Sequence, residues 1–308
     1  MKMKNINIGN SGIEASEIGL GCMRMAEIEK SEAEKVIKTA LDEGINFFDH
    51  ADIYGRGKSE EVFADAINMN ATIREKMIIQ TKCGIVPGIM FDFSKEHILN
   101  SVDASLKRLK TEYVDTMLLH RPDTLMDPEE VAEAFSILRK AGKVKKFGVS
   151  NQTPMQIRLL NKYLDDKIII NQLQFSIMHT GMIDSGFNVN MKVDASADRD
   201  GGVLEYCRLK DITIQAWSPY QYGFFEGVFL DNDKFPELNK KINEIAEKKE
   251  VTNTAIATAW ILRHPAKIQT IVGTMNTIRL KEICKASNVE LTRKEWYEIY
   301  LAAGNKLP

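Results

Sequence analysis

Tyr113-Val114-Asp115-Thr116-Met117-Leu118-Leu119-His120, a helical stripe at Val131, Ala134, Phe135 and Leu138, and a second apolar run from Val144 to Val149 form one continuous stretch. Its first and last parts are short runs of strand formers. The stripe between them recurs at i, i+3, i+4 and i+7, which is one face of a helix. Gly142 punctuates the return to strand. Strand, helix, strand is the βαβ unit, and its two strands run parallel.

The same unit repeats outward in both directions. Val36, Ile37, Ala40 and Leu41 make a stripe, as do Ile98, Val102, Leu106 and Leu109. Gly44, Lys110-Thr111-Glu112 and Asp211 stand at turns before further strand runs. Strands are expected near 17–21, 45–49, 77–82, 114–120, 145–150, 168–172, 212–217 and 269–273. Eight parallel strands close a barrel, so the expected fold class is α/β, a (β/α)8 TIM barrel in one domain over residues 1–308. The rival is an open doubly wound sheet. It calls for a Gly-rich turn after the first strand, and Gly19-Leu20-Gly21-Cys22-Met23-Arg24 does not supply GxGxxG. Loops 83–94, 173–200 and 218–235 are long, and all three follow expected strand C-terminal ends, where barrel sites are built.

Composition narrows the function classes. The chain is 44% hydrophobic and 27% charged, which excludes disordered and fibrous classes. Lys+Arg 41 against Asp+Glu 43 gives a net charge of −2, with no basic block for nucleic acid or an anionic membrane. Cys22, Cys83, Cys207 and Cys284 lack metal or disulfide spacing. Met-Lys-Met-Lys-Asn-Ile-Asn shows no signal-peptide pattern, and no apolar run reaches the length of a span. The expectation is a reduced, cytoplasmic protein. No coiled coil demands a partner, so a monomer is favoured and the assembly state stays open.

The expected strands end in chemically active groups rather than apolar ones. Asp49 and Tyr54 follow the second, Lys82 the third, His120 the fourth, Ser150-Asn151 the fifth, Gln172 the sixth and Trp217-Ser218-Pro219 the seventh. A carboxylate, a phenol, an ammonium and an imidazole in one cleft make a proton-transfer site. A phenol is too weak an acid to give up a proton readily at neutral pH. An ammonium beside it favours the phenolate until desolvation opposes the effect, and a carboxylate keeps a buried ammonium charged. Asp49 is therefore expected to support Lys82, and Lys82 to acidify Tyr54. His120 is expected to orient the substrate oxygen or to assist proton transfer.

With these motifs in order and spacing, the chain resembles the aldo-keto reductase family along nearly its whole length, in its bacterial oxidoreductase branch. The carriers are Phe48-Asp49-His50-Ala51-Asp52-Ile53-Tyr54-Gly55, Thr81-Lys82-Cys83-Gly84, Leu118-Leu119-His120-Arg121-Pro122-Asp123, Gly148-Val149-Ser150-Asn151, Asn171-Gln172 and Trp217-Ser218-Pro219. The resemblance implies NADPH-dependent reduction of an aldehyde or ketone, with Tyr54 as general acid and Asp49, Lys82 and His120 in support. Ser150, Asn151 and Gln172 match residues that hold the carboxamide, Trp217 the stacking aromatic, and Ser218-Pro219 the start of the pyrophosphate clamp. Gly21, Met23, Arg24 and Asp49 are added as cofactor contacts at the first two strand ends. After the last strand, Gly273, Thr274, Asn276 and Arg279 match the adenosine phosphate motif. Gly273 stands where many members carry a Lys, so NAD stays possible, while Arg279 favours NADP because guanidinium is the better phosphate fork.

Simpler readings stand beside these. Asp49 could cap a helix, and Ser150-Asn151 before Thr153-Pro154 could be a capping turn. His50 and Asp52 could suggest a metal beside Asp49 and His120, although strand alternation turns His50 away from Asp49. Phe224, Phe225 and Phe229 could be a substrate wall or loop anchors. Two functional alternatives remain, a non-catalytic nucleotide-binding scaffold or sensor and a metal-dependent hydrolase.

Overall fold

The apolar stripes become the inner faces of helices. Pro128–Lys140 buries Val131, Ala134, Phe135 and Leu138. Lys95–Leu109 buries Ile98, Val102, Leu106 and Leu109, and Lys30–Asp42 buries Val36, Ile37 and Ala40. Side-chain caps start several of them. Asp127, Thr153, Thr252 and Thr292 each accept a backbone N–H from the first turn.

In the computed structural model, which describes residues 2–308, these helices surround a closed barrel of parallel strands. An antiparallel hairpin comes first, β1 (Asn5–Ile8) and β2 (Ile13–Ser16). The barrel then begins with β3 (Ile18–Gly21), β4 (Phe47–Asp49) and β5 (Ile78–Cys83). A small hairpin, β6 (Ile85–Val86) and β7 (Met90–Phe91), leaves the end of β5. The barrel continues with β8 (Val114–Leu119), β9 (Val144–Ser150), β10 (Ile170–Gln174) and β11 (Thr213–Trp217). A second small hairpin, β12 (Gln221–Tyr222) and β13 (Gly227–Val228), precedes the last barrel strand, β14 (Gln269–Val272). Each barrel strand pairs with its neighbour in chain order, and β14 closes onto β3.

All eight expected strands are present, each shifted by no more than a few residues. Three expectations about irregular segments need correcting. Loops 83–94 and 218–235 carry the two small hairpins, and loop 173–200 contains a helix, Gly181–Phe187. Two-residue strands are too short to display an alternation in sequence. The N-terminal hairpin was also not expected, although Ile6, Ile8, Ile13 and Ala15 alternate around Gly9-Asn10-Ser11-Gly12. It lies at the N-terminal ends of the strands, where Gly9 N–H donates to Thr213 Oγ1 at 2.8 Å. Ile8 and Ala15 join a buried cluster with Phe47, Leu118, Ile169, Ile170 and Ile271, which runs from that end toward Ile271 in the cavity wall. All four cysteines are free and buried.

Candidate active site

At the opposite end, a cavity of about 560 Å³ opens over the strand C-termini. Behind two of its lining residues, Asp49 and Tyr54, stands Lys82, fully buried on β5. A buried ammonium must spend its protons on acceptors, and Lys82 has three. Its Nζ donates to the Asp49 carboxylate at 2.8 Å, to the His50 backbone oxygen at 2.9 Å and to Tyr54 Oη at 3.0 Å. Asp49 ends β4, and Tyr54 stands on the single helical turn Tyr54–Gly57 that follows. The ring of His120, just beyond β8, meets the Tyr54 ring edge-on at a centroid distance of 5.9 Å. The structure thus brings Asp49, Tyr54, Lys82 and His120 together.

The electrostatics differ from the expectation at one point. Burial pushes the Tyr54 phenol above its ordinary pKa, and the Lys82 charge only partly offsets that. The expected net acidification of Tyr54 is therefore not found in the resting site, because desolvation outweighs the ammonium. Lys82 behaves as expected: burial opposes its charge, but Asp49 and Tyr54 hold its pKa above the ordinary lysine value. Burial, with Lys82 and Arg121 nearby, drives His120 well below the usual histidine range, so its imidazole is neutral at pH 7.

Below this group lies a feature that the sequence did not reveal. Asp49 Oδ1 accepts the Gln80 amide at 2.6 Å and the Gln172 amide at 3.2 Å. Both amides also donate to Gln215 Oε1, and Gln215 donates to Gln269 Oε1, each within 3.0 Å. A glutamine in a strand gives no sign of which way it faces, and four barrel strands had to be aligned before these met. Gln172 correspondingly has its amide N–H groups committed to Asp49 and Gln215, so only its carbonyl oxygen is free for a ligand.

The expected cofactor residues fall into two groups. Gly21, Met23, Arg24, Asp49, Ser150, Asn151, Gln172, Trp217, Ser218, Pro219 and Gly273 line the cavity. Ser150, Asn151 and Trp217 form a chain: Trp217 Nε1 donates to Asn151 Oδ1 at 3.1 Å, and Asn151 Nδ2 to Ser150 Oγ at 2.7 Å. Asn151 and Ser218 hold positive φ of 56° and 51°, an uncommon conformation outside glycine that clusters at functional sites. Thr274, Asn276 and Arg279 do not line this cavity. They sit beyond it, where Asn276 caps the helix Thr277–Cys284 by accepting the Arg279 backbone N–H, and the Arg279 side chain is exposed. Arg24 reaches the Gly273 carbonyl with two N–H groups, at 2.6 and 3.0 Å. A guanidinium thus stands beside the glycine that lacks a basic side chain.

The cavity-lining groups that the sequence missed as site residues include Arg121, Tyr220 and Ile85. Of the three ambiguous phenylalanines, Phe224 and Phe225 line the cavity, and Phe229 is fully buried as an anchor. His50 points away from the site, edge-on to Phe63 at 4.5 Å. Among the described residues, no group of three or more His, Cys, Asp or Glu is placed to hold a metal. No helix of the described residues is long and apolar enough to cross a membrane.

An α/β barrel with buried titratable groups gathered at the C-terminal ends of its strands has the layout of the barrel enzymes. Among them, the chain belongs to the aldo/keto reductase family, whose family model matches residues 17–302. It is 36% identical to the uncharacterized oxidoreductase YcsN of Bacillus subtilis, over 94% of this chain and 95% of that protein. It is 34% identical to a 6-dehydroglucose reductase of Novosphingobium aromaticivorans, over 98% of this chain and 96% of that protein. Among solved structures, it shares the fold of an aldo-keto reductase from Klebsiella pneumoniae in complex with NADPH. That likeness has a TM-score of 0.77 at 22% identity, over 97% of this chain and 94% of that one.

Proposed function

We propose that the protein reduces an aldehyde or ketone to an alcohol with NADPH, and that Tyr54 gives the proton. The observation that carries this reading is the use of the Lys82 protons. All three are donated, and the one directed at Tyr54 makes the phenol oxygen an acceptor. The hydroxyl hydrogen of Tyr54 is thereby left for the cavity. A raised pKa keeps that hydrogen in place at neutral pH, so the acid is loaded before substrate arrives. When a carbonyl oxygen gains negative charge above it, Tyr54 transfers the proton, and the ammonium 3.0 Å away stabilises the phenolate that remains. Asp49 keeps that ammonium charged, and neutral His120 offers an N–H to the same oxygen.

The nicotinamide nucleotide, when bound, supplies the hydride that reaches the carbonyl carbon. The residues present fit it. Gly21 and Gly273 keep the wall between β3 and β14 low: a Cβ on Gly21 would lie 3.1 Å from Ile271, and one on Gly273 3.4 Å from Arg24. Ser150, Asn151 and the Gln172 carbonyl offer polar partners for a carboxamide, and Trp217 an aromatic face. Arg24 and Arg279 are the cations for phosphates, which favours NADPH over NADH. A sensor that only binds nucleotide has no use for a loaded proton donor, so the site favours the enzyme. The deciding experiment follows NADPH oxidation over a panel of aldehydes with wild type and Tyr54→Phe. The expected loss in kcat is about 10²- to 10⁴-fold, with NADPH affinity retained. Undiminished turnover in Tyr54→Phe would remove the mechanism.

A further inference from the structure

Arg121 follows His120 directly, yet the mechanism above does not use it. Its guanidinium is half-buried and lies 5.8 Å from the ring centres of both Trp217 and Phe224. Among the described residues it has no hydrogen-bond acceptor and no carboxylate within ion-pair distance. The only influence on its ionisation is burial, with no neighbouring charge to compensate. A half-buried cation without a counter-ion costs free energy unless a ligand supplies one.

The charges around it point the same way. The charged side chains lining the main cavity are Arg24, Asp49 and Arg121. Asp49 is already matched by Lys82, so the cavity carries an excess of positive charge. Arg24 is fastened at Gly273, after β14, on the nucleotide side of the mouth. Arg121 follows β8, which stands on the far side of the closed strand order from β14. Phosphates held at Arg24 and Arg279 therefore leave Arg121 unneutralised.

There is also room beside it. Arg121 forms part of the wall of a second cavity of about 250 Å³, shared with Asn151, Gln152 and Trp217. Gln152 Oε1 is buried there without a partner. The one carboxylate of that cavity, Asp200, has Asp198, His179 and Arg199 as its charged neighbours, not Arg121.

We propose that Arg121 is a specificity-determining residue which binds an anionic group, such as a carboxylate, on the substrate side of the cavity, so that the carbonyl compounds reduced here are anionic. This inference rests on the reductase reading for its reaction but not for its binding site. The Phe224 ring beside the guanidinium suits a flat probe. The test compares 4-carboxybenzaldehyde with benzaldehyde as substrates for wild type, Arg121→Lys and Arg121→Gln. Wild type is expected to favour the acid by about tenfold or more in kcat/KM, mainly through KM. Arg121→Gln should erase the preference, and Arg121→Lys should keep part of it. A purely structural Arg121, one that only props Trp217, would lower both substrates alike, and that outcome overturns the proposal. Calorimetric binding of 4-(hydroxymethyl)benzoate against benzyl alcohol, with and without NADP⁺, supplies a second readout. Tighter binding of the acid to wild type, lost in Arg121→Gln, upholds the anion site even where neither aldehyde is reduced. Equal binding of the two overturns it even where reduction proceeds.

Discussion

Inside the barrel, Gln80 gives both amide protons to Asp49 and Gln215 and accepts from Thr116, while Gln215 accepts two amides and passes a third bond to Gln269. One layer higher, His120 Nδ1 is buried without a partner and the Arg121 guanidinium has no anion. The lower layer is a closed hydrogen-bond circuit that fixes Asp49 and Lys82. The upper layer leaves these two groups unspent. Satisfied buried polar networks rigidify a structure, whereas unsatisfied ones cost stability and mark the places where a ligand belongs. On the function proposed above, the lower layer supplies position and the upper layer recognition.

The largest loss is expected at Lys82. Lys82→Met leaves the Asp49 carboxylate buried and uncompensated, and about 3–5 kcal/mol of stability should disappear in urea unfolding. The double variant Asp49→Asn/Lys82→Met should regain a large part of that loss, because replacing both ions removes the stranded charge. A single variant as stable as wild type would mean that the circuit does not hold the pair in place.

A smaller effect is expected at Asp52, behind the rim. Its Oδ1 has no partner, and burial together with Glu60 pushes its pKa up to about 7 from 3.8. A carboxyl whose pKa is raised by folding stabilises the fold while protonated. That contribution is complete below about pH 4 and is lost as pH rises through about 7. Thermal or denaturant unfolding should therefore show the wild type losing about 2 kcal/mol between mildly acidic and mildly alkaline pH. Asp52→Asn should flatten this slope, and an equally steep slope in the variant would assign it to another group.

The smallest effect on the fold belongs to the exposed rim. Arg279→Ala should change stability by less than about 0.5 kcal/mol. It should weaken NADPH about tenfold while leaving NADH nearly unchanged, as titrated by cofactor fluorescence. Equal losses for the two nucleotides would count against recognition of the 2′-phosphate.

These layers were unequally legible in the sequence. The strand ends were readable because Asp49, Tyr54, Lys82 and His120 interrupt otherwise apolar or turn-forming patterns at or just after the ends of expected strands. The glutamine circuit was not, since a polar side chain in a strand of mixed residues does not declare whether it faces the barrel or the helices. The same holds for Glu60, which accepts from Thr81 at 2.7 Å and from Arg108 at 2.7 Å across large sequence separations. Arg121 lies within the motif at 118–123, but an Arg beyond a strand end is ordinarily solvated, so its residue type does not reveal its half-burial in the cavity wall. The extent of Tyr54 desolvation was unreadable for a related reason: residue types give charges, but only packing gives the dielectric around them.

The hairpin of β1 and β2 gives the barrel a stoppered base, with Ile8 and Ala15 wedged among the strand starts. The plug and the chemically active groups thereby lie at opposite ends of one barrel. Such a separation makes the scaffold evolvable: the segments between Gly84 and Phe93, or between Ser218 and Phe235, can be exchanged for others without loosening the plug.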